Sequence, residues 1–150
     1  MNLFRFLRPV AVLLVAAGIL TLSDRASAEE RTYRSRSTAL LDLATGDFVA
    51  AGKATHLGNY TETGNVAIWG DDPTALHVEG SATLIAANDD ELCVVITGEM
   101  NFLTGTITGT LTFDGATEGR FEDATGSASL VAQVQPDGTI SVDVVGTIDY

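Results

Sequence analysis

TGTITGTLTFDGATEGRFEDATGSASLVA, residues Thr104 to Ala132, decides the fold. Its first part alternates without a break. Thr104, Thr106, Thr108, Thr110 and Thr112 point one way; Gly105, Ile107, Gly109, Leu111 and Phe113 point the other. A period of two is the geometry of a strand with one packed and one wet face. A glycine-rich turn follows, then a short aromatic-bearing strand around Arg120-Phe121, then another strand from Gly126. Inward glycines such as Gly105 and Gly109 suit a small, strongly curved sheet.

Outward from that stretch the chain repeats the same pattern. Ile140, Val142, Val144, Gly146, Ile148 and Tyr150 share a face, so the last strand runs to the final residue. Gly80-Ser81-Ala82-Thr83-Leu84-Ile85-Ala86 recurs as Gly126-Ser127-Ala128-Ser129-Leu130-Val131-Ala132, each copy followed by an acidic turn and an apolar return strand. The repeated unit reads as a β-hairpin in a meander. Leu76–Ala87 and Leu92–Thr97 flank the Asn88–Glu91 turn, and Gly70–Pro73 is a loop. Further back the reading gives a short strand over Thr38–Leu43, a strand from Phe48 through Tyr60, a turn signal at Gly64-Asn65 and a strand over Val66–Trp69. Gly52 inside its strand signals a bulge or a close backbone approach. No stretch after residue 28 combines helix spacing with helix formers. The expectation is an all-β protein, an antiparallel closed barrel of about eight strands, since closure hides sheet edges. A two-sheet β-sandwich is the alternative.

The N-terminus has a different character. Arg5 and Arg8 precede an apolar run, Val10 to Leu22, and Ala26-Ser27-Ala28 is a small-x-small site followed by Glu29-Glu30. This is the pattern of a secretory signal peptide cleaved after Ala28, and the run is short for a membrane span. The expected organisation is signal peptide 1–28, flexible leader 29–35 and one β-barrel domain 36–150, secreted or periplasmic, with no stable membrane insertion after cleavage. With Arg5, Arg8, Arg25 and Asp24 gone, the 8 basic and 20 acidic residues become 5 and 19, a net charge of −14. Such a chain repels phosphate backbones and anionic membranes, which excludes nucleic acid as an expected partner. A basic protein, a small apolar ligand and a second copy of the chain stay open as partners. Cys93 is the one cysteine. It permits no internal disulfide and reads as a buried, inert thiol.

Candidate chemistry is sparse. His56 and His77 belong to no closely spaced ligand set, and no G-x-S-x-G elbow accompanies the serines. Asp71-Asp72, Asp89-Asp90-Glu91 and Glu122-Asp123 offer hard oxygen ligands but lack an ordered calcium-loop pattern, and read as solvated turns. The reading therefore assigns no catalytic, cofactor or metal residues. His56, Tyr60, Trp69 and Phe121 are the candidates for contact with a ligand. His56 is expected to fix a strand end through a hydrogen bond, and Phe121 to face inward and plug one end, with Arg120 outside or bridging to an acid.

Three segments carry a resemblance: Gly52-Lys53-Ala54-Thr55-His56-Leu57-Gly58-Asn59-Tyr60, Gly80 to Asp90, and Gly115-Ala116-Thr117-Glu118-Gly119-Arg120-Phe121-Glu122-Asp123-Ala124-Thr125-Gly126. Together they resemble exported bacterial proteins of undefined function. The last also resembles the glycine-rich turn of the allene oxide cyclase and dirigent barrel superfamily. That resemblance implies an eight-stranded antiparallel barrel, but none of the superfamily's cavity or catalytic residues transfers to a position here. Gly115 to Gly119 is one residue longer than the tight form, so its turn is expected to be looser. Three roles follow: a non-enzymatic interaction or structural module, favoured; a small apolar-ligand carrier; and a cyclase- or lyase-like enzyme. A filled interior would remove the last two. An apolar, charge-free cavity would favour the carrier, and a cavity with one ionisable group beside apolar walls would favour the enzyme.

Overall fold

A computed structural model describes residues 29–150. Eight strands follow one another as a meander: β1 (Arg31–Leu41), β2 (Asp47–Ala54), β3 (Gly58–Trp69), β4 (Leu76–Ala86), β5 (Glu91–Asn101), β6 (Thr106–Phe113), β7 (Thr125–Val134) and β8 (Ile140–Asp149). Each pairs antiparallel with the next, and β8 returns to β1 in the register Tyr33↔Gly146 to Ala39↔Ile140, closing the barrel. Closure leaves no free edge, so the sandwich alternative falls. No helix among the described residues is long and apolar enough to cross a membrane.

Alternation places the side chains. In β6, Leu111 and Phe113 are buried while Thr108, Thr110 and Thr112 are exposed; in β8, Ile140, Val144 and Ile148 are buried. Gly109 faces Gly98 of β5 across the ladder, and a Cβ on Gly109 would lie 2.2 Å from the Thr97 carbonyl oxygen. That close approach lets the sheet bend tightly. The two similar hairpins are both present, but they turn at opposite ends: β4–β5 turns over residues 87–90 at one end, β7–β8 over 135–139 at the other.

Six readings need correction. Residues 29–35 are not a loose leader, because β1 begins at Arg31, with Tyr33 and Ser35 buried inside the barrel. The strand drawn from Phe48 through Tyr60 is two strands joined by a tight turn at residues 55–57. Gly64-Asn65 is no turn but mid-β3, because Gly64 fits against Ser81 and Ala82 of β4, where a side chain would clash. Residues 114–124 form a loop in which Arg120-Phe121 is a turn rather than a strand. Gly105 lies before β6, at φ 70°, in the turn that leads into it. Cys93 is partly exposed on the outer face, 3.9 Å from the Thr83 hydroxyl, rather than in the core. The signal-peptide reading falls on residues 1–28, outside the described residues.

Candidate functional site

The two ends of the barrel differ. At the end holding the β2–β3, β4–β5 and β6–β7 connections, the long 114–124 loop folds over the opening. Phe121 of this loop is 0% exposed, its Ala124 is buried too, and so is Leu57 in the β2–β3 turn. The Phe121 ring meets Tyr150 edge to face at 4.7 Å, and deeper in, Tyr33 meets Phe113 at 4.8 Å. Arg120 ties the loops together. Its Nη2 donates to the His56 carbonyl oxygen, its Nε lies 3.3 Å from the Asp90 carboxylate, and its guanidinium sits over the Phe121 ring at 4.5 Å. His56, at φ 72°, bonds the Thr32 carbonyl oxygen through Nε2 at 2.9 Å. His56 therefore does fix a strand end, and Phe121 is a plug.

The opposite end is open. A cavity of about 80 Å³ runs inward from it, walled by side chains such as Val66, Val78, Ile96, Ile107, Leu130 and Val142. Glu62 is the one polar side chain that lines it. Leu43, Phe102 and Leu103 stand exposed at this end, on the β1–β2 and β5–β6 connections, as does Trp69 at the end of β3, and a hollow between Leu43, Leu76, Met100 and Phe102 adjoins the mouth.

Glu62 reaches the interior because β3 alternates Tyr60, Glu62, Gly64, Val66 and Ile68 inward. It faces Ala50 on β2 and Leu84 on β4. Beyond Phe48, the inward residues of β2 are the small Ala50, Gly52 and Ala54, and a Cβ on Gly52 would lie 2.6 Å from the Ser37 Cβ. This low strip lets side chains of β1 and β3 converge above it. Tyr33, Ser35 and Ser37 come from β1, Tyr60 and Glu62 from β3, forming a polar layer inside an otherwise greasy barrel. The Tyr33 hydroxyl is buried beside Ser35 without a well-formed hydrogen bond. Burial, then the neighbouring Tyr60, hold Tyr33 above the usual phenol range; burial likewise raises Tyr60. Glu62 is 9% exposed, and burial in apolar surroundings pushes its carboxyl from 4.5 up to about 7. Neither ion pair among the described residues, Arg36–Asp143 or Arg120–Asp90, involves it.

The four candidate residues do not converge. His56 and Phe121 belong to the closed end, Trp69 to the open rim beside His77 at 5.8 Å, and only Tyr60 belongs to the polar layer. Glu62 escaped sequence reasoning because the Gly64-Asn65 turn signal ends the expected strand at Tyr60; the alternation Tyr60-Glu62-Gly64-Val66-Ile68 is the signal that could have found it. Among the described residues no group of three or more His, Cys, Asp or Glu side chains gathers to hold a metal ion. Two of the three acidic turns hold a carboxylate with local partners. The Asp72 carboxylate accepts from Thr74, and Asp90 from Asn88.

Comparison with protein families, with curated proteins and with solved structures finds no match. The architecture, an eight-stranded antiparallel closed barrel, is one that barrel superfamilies share generally and singles out none of them.

Proposed function

We propose that the protein is an exported, non-enzymatic binding barrel that takes the apolar part of a small molecule into its open half. The observation that carries this reading is the apolar cavity of about 80 Å³ with Glu62 at its wall. Pockets that hold small ligands are mostly apolar, with a few polar groups that fix orientation. The exposed Leu43, Trp69, Phe102 and Leu103 extend that apolar path to the surface. Export follows from the pattern of residues 1–28, and N-terminal sequencing of the exported protein should begin at Glu29. Kinship with the allene oxide cyclase and dirigent barrels belongs to the same reading, supported by strand number, closure and the capping 115–126 segment.

The binding test is an amide NMR titration with n-hexanol. Shifts should centre on Val66, Ile96, Ile107 and Val142 and leave Phe121 and Ala124 unmoved. Shifts confined to the closed end, or none at saturation, would refute the reading.

One ionisable group beside apolar walls is the arrangement that favours an enzyme, and it supports a second reading; binding stands first because no second polar side chain lines the cavity with Glu62 to orient a substrate. Glu62 beside apolar walls, with its carboxyl near 7, is poised as a general acid or base. Such a group would abstract a proton α to a carbonyl, returning it to solvent. Incubation with 2-hexanone in D₂O separates the two. A binding barrel leaves the α-hydrogens at the rate set by free acetate; an acid–base enzyme exchanges them faster and loses the effect in Glu62→Gln.

A further inference from the structure

The geometry points to an unbranched alkylammonium ion, or a molecule ending in one, as the ligand class of the open half, its cationic head at Glu62 and its chain toward the rim. This rests on the binding-barrel reading and specifies its ligand.

Shape is the first argument. From Glu62 to Ile68 is six residues along β3, about 15 Å along the axis for a strand tilted as barrels require. About 80 Å³ over that path makes a narrow channel. An apolar cavity that accepts a benzene ring has about 150 Å³. A single methylene chain suits the space, and Trp69, Phe102 and Leu43 extend the apolar surface where its tail would emerge.

Charge is the second. Glu62 is an unpaired carboxyl, nine-tenths buried, that lines the channel. The basic residues of the described chain are Arg31, Arg34, Arg36, Lys53 and Arg120, placed on β1, on β2 and in the β6–β7 loop, at the closed end or the waist. The open end carries Asp42, Asp71, Asp72 and Asp137 on its connections and Asp47 at the start of β2. Three of these are held ionised below the usual carboxylate range: Asp47 by Asn65, Asp72 by Thr74 and Asp137 by Thr139. An acidic mouth over a carboxyl concentrates cations and turns anions away. A fatty carboxylate would meet like charge at both places.

The charge state of Glu62 sets the pH dependence. Tyr33 from β1 and Tyr60 from β3 are the titratable groups facing it, and both stay neutral with raised pKa values. The inward residues of β2 and β4 carry no charge. Ammonium binding requires the carboxylate, so it strengthens as pH rises toward 8 and releases a proton at lower pH.

The test compares n-hexylamine, n-hexanol and hexanoate by calorimetry at low salt. At about pH 8 the amine should bind about tenfold more tightly than the alcohol, as one added charge contact supplies, with hexanoate weakest. In Glu62→Gln the amine should lose its advantage, amine and alcohol then binding alike. The amine's advantage should also shrink at about pH 5, where Glu62 is protonated. If the alcohol binds in the open half and the amine binds no better, or its advantage survives Glu62→Gln, the ligand class is wrong and the binding barrel stands. If the alcohol does not bind either, the binding barrel falls and this inference with it.

Discussion

The closed half of the barrel is aromatic and filled; the open half is aliphatic but for Phe48 and partly hollow. Tyr33, Phe113, Phe121 and Tyr150 crowd the first, whereas Ala39, Ala50, Val66 and Ala132 leave room in the second. Both halves are built on the same eight strands and the same alternation. What separates them is one loop and the size of the inward side chains. The 114–124 loop is long enough to drop Phe121 into one opening, while the connections at the other end, such as residues 42–46 and 102–105, are short and leave theirs uncovered. A meander barrel is thus sealed or opened by its loops and lined by its strands, and the two choices are independent.

The largest effect should come from unplugging the closed half. Phe121→Ala removes a fully buried ring and should cost about 4 kcal/mol in chemical denaturation. Hexanol binding in the open half should be unchanged at temperatures where the variant is folded. Loss of binding together with stability would mean that the halves are not independent.

Glu62 gives the next effect. In the folded chain its carboxyl holds its proton up to about pH 7, while in the unfolded chain it releases it near the ordinary 4.5. Below 4.5 both states are protonated and the group imposes no penalty. As pH rises the folded state binds the extra proton, so stability falls, and the loss is complete above about 7. The total is on the order of 3 kcal/mol. Denaturation midpoints of the wild type should fall from acid to neutral pH relative to Glu62→Gln, which should show a flatter profile. Parallel profiles would place Glu62 in water and empty the comparison of its polar half.

The smallest effects are a pair of opposite sign. Ala132 lines the open-half cavity, and Ala132→Val should stabilise by about 0.5–1 kcal/mol by filling it. Ala128 packs in the closed half opposite Gly146, and Ala128→Val should destabilise by about 1–3 kcal/mol through overpacking. Thermal melts of the two variants decide it; equal signs would show that the halves are packed alike.

Much of this architecture was legible in the chain. The alternations of β6 and β8 fixed their inward faces, and Leu76–Ala86 with its turn at 87–90 matched closely. The misreadings share a cause. Glycine beside polar residues marks turns in general, yet Gly64 serves β3 by letting β4 approach. Arg31 to Ser35 looked like a solvated tail because its outward side chains are charged, while Tyr33 and Ser35 carried the inward face in small or polar form. The site was the least legible part. Its key residue is a carboxylate at an inward strand position, where local patterning expects an apolar residue, and the low strip of Ala50, Gly52 and Ala54 matters only once β1, β2 and β3 are neighbours.

The claim beneath the account is that Glu62 sits at the wall of a dry, open-ended cavity. Carbon-13 NMR of its side-chain carboxyl across a pH series measures this directly. The account predicts a titration midpoint of about 7. A midpoint near the ordinary 4.5 would mean a water-bathed carboxylate, and would contradict both the apolar cavity and the ligand chemistry built upon it.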